Sequence, residues 1–350
     1  MAQEHRPGTV YWIDHFVVAT NDLNPWIQFT VDVLGAKPEP IYGLTTIARQ
    51  QRHPIFCFSH MRYCHMGAFL QNDTLPAGPS LGKGLPRYGF YVRPEDIDEH
   101  LKRLDAHKVP HTDPRRTSEE GEEGSAVYFE DPAGNQCEFW APTRMPGGAM
   151  AGAGPLKVGR ISHAVLESRD LDRTAEFFTQ FCNMDRASTS DVPKDTLAFR
   201  LAGGARLVFK LVVELDARNN AAARRNGLHT ALTVHSDDFF PLYRRLWDAL
   251  PEWDYDSRSG GAVEAELGTL PARTALHGSA AGRQWKQLYG RGDDFYDWDT
   301  NTYHLVGGVP VDGSLVIYEP RYMEDYLEDA HKTGQGSGLR PTSLSVRTEP

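Results

Sequence analysis

An internal duplication constrains the fold of this chain more than any other feature. Residues 13–23 recur as residues 161–171 at an offset of 148, with Ile, His, Val, Asp and Leu in matching places. Residues 87–92 and 229–234 form a second pair at an offset of 142. Each copy is a short apolar run typical of a strand, followed by an aspartate and a helical pattern. Because such periodicity indicates duplicated folding units, the sequence predicts four units of strand, helix and further strands.

Composition and charge limit the partners of such a chain. Its 350 residues are enough for two domains, and 40% hydrophobic with 24% charged residues is typical of globular proteins. A net charge of −10 disfavours nucleic acid as a partner. The chain has neither a long apolar span nor an apolar leader, so we expect no membrane contact and a cytoplasmic location.

A segment rich in Gly, Ala and Pro separates the two halves of the duplication. The sequence therefore predicts an N-terminal domain at residues 1–145, a linker at 146–158 and a C-terminal domain at 159–310. Residues 311–350 are expected to form a partly mobile extension.

One turn carries a family resemblance. Residues 128–140 contain an Asp-Pro-x-Gly-Asn turn followed by a glutamate and aromatic residues. Together with His15 and His163 on the first strands of the two repeats, this segment resembles the vicinal oxygen chelate superfamily. That superfamily includes glyoxalase I, fosfomycin and bleomycin resistance proteins and type I extradiol dioxygenases. The four-unit length resembles the two-domain extradiol enzymes, which implies an α+β fold of four βαβββ modules paired into two cupped-sheet domains.

The resemblance also implies a metal centre. Extradiol enzymes take their ligands from the first strands of modules three and four and the last strand of module four. These positions correspond to His163, His229 and His304, where His304 replaces the usual glutamate. The expected cofactor is Fe(II), with Mn, Zn or Ni as alternatives.

A second ligand set stays open. His15 and Glu138 occupy the equivalent positions of the first half. In hydroquinone-cleaving relatives the first and fourth modules share the site, which would combine His15 with His229 and His304. The sequence does not decide between His15 and His163, although the linker favours His163.

The resemblance assigns two further residues and a reaction. His277 and Tyr296 match a histidine and a tyrosine that hydrogen-bond the substrate or oxygen in the family. We therefore predict an Fe(II)-dependent dioxygenase that cleaves a ring or C–C bond of a small aromatic or enolisable substrate with adjacent oxygens. The alternatives are a glyoxalase-like isomerase, lyase or hydrolase that works without O2, and a non-catalytic small-molecule-binding protein. Because cupped sheets leave outer faces and edges to cover, we expect a homo-oligomer.

Overall fold

The computed structural model describes most of the first 214 residues and short parts of the remainder. The described ranges are 9–42, 54–61, 64–70, 78, 80–118, 121–182, 184–187, 192–214, 229–235, 294–296, 302–311 and 315–317. Within them the chain forms two eight-stranded sheets and a small number of helices.

The strands follow the order predicted from the repeats. They are β1 (Val10–Thr20), β2 (Lys37–Tyr42), β3 (Pro54–Met61), β4 (Cys64–Leu70), β5 (Arg87–Tyr91), β6 (Arg115–Thr117), β7 (Gly124–Glu130), β8 (Gln136–Pro142), β9 (Ile161–Ser168), β10 (Asp185–Arg186), β11 (Thr196–Arg200), β12 (Arg206–Leu211), β13 (His229–His235), β14 (Asp294–Tyr296), β15 (Thr302–Val311) and β16 (Leu315–Ile317). For the fourth unit the sequence pattern also predicts a helix over 240–246 and strands at 274–276 and 285–289, and these segments lie outside the described residues.

An aspartate precedes each of the three described helices, and its side chain caps the first and the third. The helices are α1 (Leu23–Asp32), α2 (Ile97–Ala106), preceded by a 3₁₀ turn at Pro94–Asp96, and α3 (Leu171–Cys182). Asp22 accepts a hydrogen bond from the Asn24 amide at 3.0 Å, and Asp170 accepts one from the Asp172 amide at 3.0 Å. Side-chain oxygens at this position satisfy amides that lack a partner within the helix. In the described part of the chain, every helix is too short or too polar to cross a membrane.

The two sheets combine modules from opposite halves of the chain. The first sheet has the order β14-β15-β13-β1-β4-β3-β2, with β16 paired to β15, and its central strands β1 and β13 are antiparallel. The second sheet has the order β10-β11-β12-β9-β5-β8-β7-β6, with β9 and β5 antiparallel at its centre. The predicted α+β fold with cupped sheets is confirmed. Module one pairs with module four and module two with module three, so the sheets do not coincide with the predicted domains 1–145 and 159–310.

The sheets pack against each other through their central strands. Trp12 on β1 donates from Nε1 to the carbonyl of Ile161 on β9 at 2.9 Å. Phe16 on β1 stacks on Tyr88 on β5, with ring centroids 3.7 Å apart. These residues belong to one hydrophobic cluster that includes residues of both sheets. The burial of large aromatic side chains across this contact stabilises the arrangement of the two sheets.

The segment 146–158, predicted as a linker, packs on the second sheet. Ala149 and Val158 are buried, and the Arg160 amide donates to the Ala149 carbonyl at 2.9 Å. The Lys157 Nζ donates to the Asp96 carboxylate at 2.7 Å. Its contacts therefore hold this segment against the fold.

Candidate metal centre

A β-bulge in β1 brings a carboxylate beside a buried imidazole. Ile13 pairs with Leu232 and His15 pairs with Ala231, so Asp14 is the extra residue between them. A bulge redirects the side chain of the extra residue. As a result, Asp14 Oδ2 lies 2.5 Å from His15 Nδ1, and both side chains are almost fully buried.

The Asp14 contact determines how His15 could bind a metal. An ionised carboxylate accepts a hydrogen bond, so it holds the imidazole proton on Nδ1. The lone pair is then on Nε2, which is the nitrogen that can coordinate an ion. Carboxylate–histidine pairs of this kind orient histidine ligands in metal sites. The donor types and their burial therefore fit a divalent transition metal.

His65 extends this cluster on the neighbouring strand. It pairs with His15 across β1 and β4, and the two rings stack with centroids 4.3 Å apart. His65 Nδ1 lies 3.8 Å from Asp14 Oδ2. Ligand atoms of Asp14, His15 and His65 all lie within 4.8 Å of one another, and the three residues are buried.

Two predicted ligands occupy strands beside His15. His229 pairs with Val17, two residues along β1 from His15. His304 pairs with Ala231, which itself pairs with His15. Because paired residues share a face and the side-chain period of a strand is two, these positions lie on one face of the first sheet. The pairing of β1 with β13 therefore brings His15, His229 and His304 together in the backbone register.

The edge strand β14 adds two positions to the same face. Tyr296 pairs with Thr302, two residues before His304, and Asp294 pairs with His304 directly. The predicted catalytic Tyr296 therefore shares a face with the proposed ligands. The predicted catalytic His277 lies outside the described residues.

The second sheet repeats this geometry with different side chains. Gly89 lies between His163 on β9 and Glu138 on β8 in the register. Above Gly89, His163 Nε2 lies 3.2 Å from Glu138 Oε2, and both side chains are fully buried. A Cβ at position 89 would lie 2.3 Å from His163 Cε1, so this approach requires a glycine.

Arginines replace histidines in this second cluster. Arg87 donates from Nε to Glu138 Oε2 at 3.0 Å and from Nη1 to the Gly82 carbonyl at 2.9 Å. Arg206 pairs in the register with His163 and donates from Nη1 to Glu122 at 2.7 Å. Both guanidinium groups are thus buried and paired with carboxylates.

Two other titratable groups on these strands stay neutral. Burial raises the pKa of the Tyr91 hydroxyl, which donates to the Gly204 carbonyl at 3.0 Å. Burial also raises the pKa of the Cys137 thiol well above its usual value. Neither group is suited to act as a base or nucleophile near neutral pH.

The structure separates one predicted ligand from the other two. His163 lies in the second sheet with Glu138, whereas His229 and His304 are on strands of the first sheet. The physical reason is the pairing of modules, since β13 runs beside β1 and β9 runs beside β5. His15, which the sequence left open, is the histidine that lies in the same sheet as His229 and His304.

Sequence reasoning did not single out Asp14 and Asp294, and it considered His65, like His60, only as a further ligand beside His15 and Glu138. A signal for Asp14 exists, because the duplicated strands read Asp-His at residues 14–15 and Ser-His at residues 162–163. The carboxylate next to the histidine is thus specific to one copy. Asp294 had no such signal, since only the register of β14 places it opposite His304, and the register of β4 is what distinguishes His65 as the partner of His15.

A comparison with protein families finds a match to the first part of the chain. The model of the Glyoxalase/Bleomycin resistance protein/Dioxygenase superfamily matches residues 12–139, which include β1 to β8 apart from the first two residues of β1 and the last three of β8. This part of the chain is therefore similar to the superfamily, and the match covers 12–139 of the 350 residues. Most members of the superfamily are enzymes, and its metal-dependent members act on small molecules.

Two solved structures with a similar fold align with most of the chain. A Bacillus subtilis protein described provisionally as a dioxygenase aligns with a TM-score of 0.57 at 15% identity, covering 95% of this chain and 97% of that chain. Glyoxalase I from Zea mays aligns with a TM-score of 0.50 at 12% identity, covering 91% and 95%. At such low sequence identity the structural alignments show a shared fold and not a shared activity. The comparison with curated proteins gave no match.

Proposed function

We propose that the first sheet binds a divalent metal ion through His15, His229 and His304. We further propose that the protein is an Fe(II)-dependent dioxygenase for a small substrate with adjacent oxygens. The observation that carries this proposal is the register of the first sheet, in which His15 and His304 are both paired with Ala231.

The second sheet supports the convergence of these ligands. There, side chains from strands two apart meet above a small central residue, as His163 and Glu138 do above Gly89 at 3.2 Å. In the first sheet the central residue is Ala231, which is also small and buried. We therefore infer that His15 and His304 face a common point above Ala231, at a wider separation than His163 and Glu138, because Ala231 has the Cβ that Gly89 lacks.

The donor set determines which substrate the site would favour. Imidazole ligands bind Fe, Mn, Ni and Zn, and three neutral imidazoles leave the positive charge of the ion uncompensated. A substrate that chelates through two oxygen anions would compensate this charge. When bound, the ion supplies a Lewis acid that acidifies a chelated hydroxyl and, as Fe(II), a redox centre for O2.

The residues of the chain would have separate tasks. Asp14 holds the proton of His15 on Nδ1 and so fixes the orientation of the ring. Tyr296, which shares the face of His304 in the register, would donate a hydrogen bond to the substrate. We keep His277 as a proton donor on the resemblance alone. Cytoplasmic location and homo-oligomerisation also stay predictions.

The oxygen-independent alternative has less support. In this alternative Glu138 or a water would move protons, and Glu138 lies in the second sheet in contact with Arg87 and His163. A buried carboxylate that already bonds a guanidinium is a poor base, because the cation stabilises its ionised form.

Oxygen uptake tests the proposed function. Protein purified without oxygen and loaded with Fe(II) should consume O2 with at least one member of a panel of catechols, hydroquinones and 2-hydroxy-ketones. The Zn-loaded protein should consume none, since Zn has no redox chemistry. Turnover of the same panel without O2, by Zn- or Ni-loaded protein, would favour the isomerase. A protein that retains no divalent metal on dialysis would favour the binding module.

Replacement of Asp14 by asparagine should weaken metal affinity by about 10- to 100-fold, because the amide no longer holds the proton on His15 Nδ1 as a carboxylate does. The measurement is a competitive titration with a chromogenic chelator. Ser162→Ala is the matched control, since Ser162 contacts His163 Nδ1 at 3.0 Å at the equivalent position of the second sheet. Equal affinity in wild type and Asp14→Asn would remove Asp14 from the site.

A further inference from the structure

We propose that the second sheet contains a cation site of the same design, in which the guanidinium of Arg87 takes the place of a metal ion. The comparison with the first sheet rests on the proposed function. The contacts between Arg87, Glu138 and His163 do not, because all three side chains are described. One substitution should therefore convert the second sheet into a metal site.

Corresponding register positions relate the two sheets. His163 corresponds to His15, since each lies on the central strand one residue after the extra residue of a bulge. Gly89 corresponds to Ala231 as the residue paired with that histidine. The remaining correspondences, each at the same register offset, are Glu138 with His304, Arg87 with His229, and Arg206 with His65.

Glu138 is the centre of the second cluster. Its Oε2 atom accepts a hydrogen bond from Arg87 Nε at 3.0 Å and lies 3.2 Å from His163 Nε2. A fully buried carboxylate requires a cation or several hydrogen bonds to stay ionised. Arg87 provides that positive charge at the position where the first sheet carries His229.

His163 is already oriented as a ligand would be. Ser162 Oγ lies 3.0 Å from His163 Nδ1, and Nε2 lies on the side of Glu138. His163 and Glu138 thus provide one imidazole and the carboxylate of a metal site that consists of two histidines and one carboxylate. The third position bears a guanidinium, which cannot ligate a metal. The substitution Arg87→His removes the internal cation and adds the missing imidazole.

Cobalt binding by the full-length chain tests this proposal. Apo wild type and Arg87→His are titrated with Co(II), and bound metal is counted after dialysis. Arg87→His should bind one more Co(II) per chain than wild type, and its melting temperature should rise when Co(II) is added. No additional metal in folded Arg87→His would overturn the proposal.

Two controls isolate the ligands. The double variant Arg87→His with Glu138→Gln lacks the carboxylate and should lose the additional Co(II). Arg200→His adds a histidine at an exposed position of the same sheet and should bind no more Co(II) than wild type. Additional Co(II) in either control variant would contradict the assignment.

The design separates this proposal from the proposed function. The additional ion is counted against wild type, so it is expected even if the first sheet binds no metal at all. Should Arg87→His be unfolded without metal, refolding with Co(II) should restore the circular dichroism of wild type in that variant and not in the double variant. Failure to recover the fold with Co(II) would also overturn the proposal.

Discussion

Replacement of His15 by alanine should abolish stoichiometric metal binding and all metal-dependent turnover. Loss of an oriented partner of a ligand typically costs 10- to 100-fold in affinity, so the loss of a ligand itself should exceed about 100-fold. His15 is fully buried and its Nδ1 is bound by Asp14, which leaves metal binding to the Nε2 side of the ring. The measurement is the metal content after dialysis, with circular dichroism to establish that the variant is folded.

His163→Ala is the matched control for this variant. It removes the equivalent imidazole of the second sheet, which contacts Glu138. The folded His163→Ala protein should retain the metal content of wild type. The opposite result, with metal lost from His163→Ala and retained by His15→Ala, would restore the ligand set that the sequence favoured.

Replacement of Glu138 by glutamine should destabilise the fold by about 3–5 kcal/mol, because it leaves a buried guanidinium without its counter-charge. The side chains of Glu138 and Arg87 are 0% and 3% exposed, and Glu138 Oε2 accepts a hydrogen bond from Arg87 Nε at 3.0 Å. The effect should appear in urea unfolding as a lower midpoint at an unchanged slope.

An exposed ion pair provides the control for this measurement. Glu123 Oε1 lies 3.7 Å from Arg116 Nη2, and both side chains are largely exposed. Glu123→Gln should change stability by at most about 1 kcal/mol. The double variant Arg87→Gln with Glu138→Gln should recover part of the loss, since the uncompensated charge is removed as well. A urea unfolding midpoint of Glu138→Gln equal to that of wild type would show that the buried pair of Glu138 and Arg87 does not stabilise the fold.

The modules could be predicted from the sequence, but their pairing could not. Repeated apolar runs and capping aspartates such as Asp22 and Asp170 are local signals, and the structure confirms both caps. Pairing depends on which strand lies beside β1, and the duplicated strands β5 and β13 carry similar apolar patterns. The contact of Phe16 with Tyr88 across the sheets depends on that choice and not on local sequence.

The types of residue in the candidate site could be predicted from the sequence, but which of them lie together could be predicted only in part. The family resemblance supplied His163, His229 and His304 as candidates and left His15 open, and only His15 and His163 lie at matching positions of the duplicated strands. The role of Asp14 depends on a bulge, and a bulge is defined by the register with the partner strand. The competing function of Glu138 as a partner of Arg87 likewise follows from a tertiary contact 51 positions apart in the chain.

Anomalous scattering from crystals of the Co(II)-loaded protein is the most direct test of the central claim. The account predicts one peak per chain, about 2.1 Å from His15 Nε2 and at coordination distance from the imidazoles of His229 and His304. A peak between His163 and Glu138, with none beside His15, would contradict it.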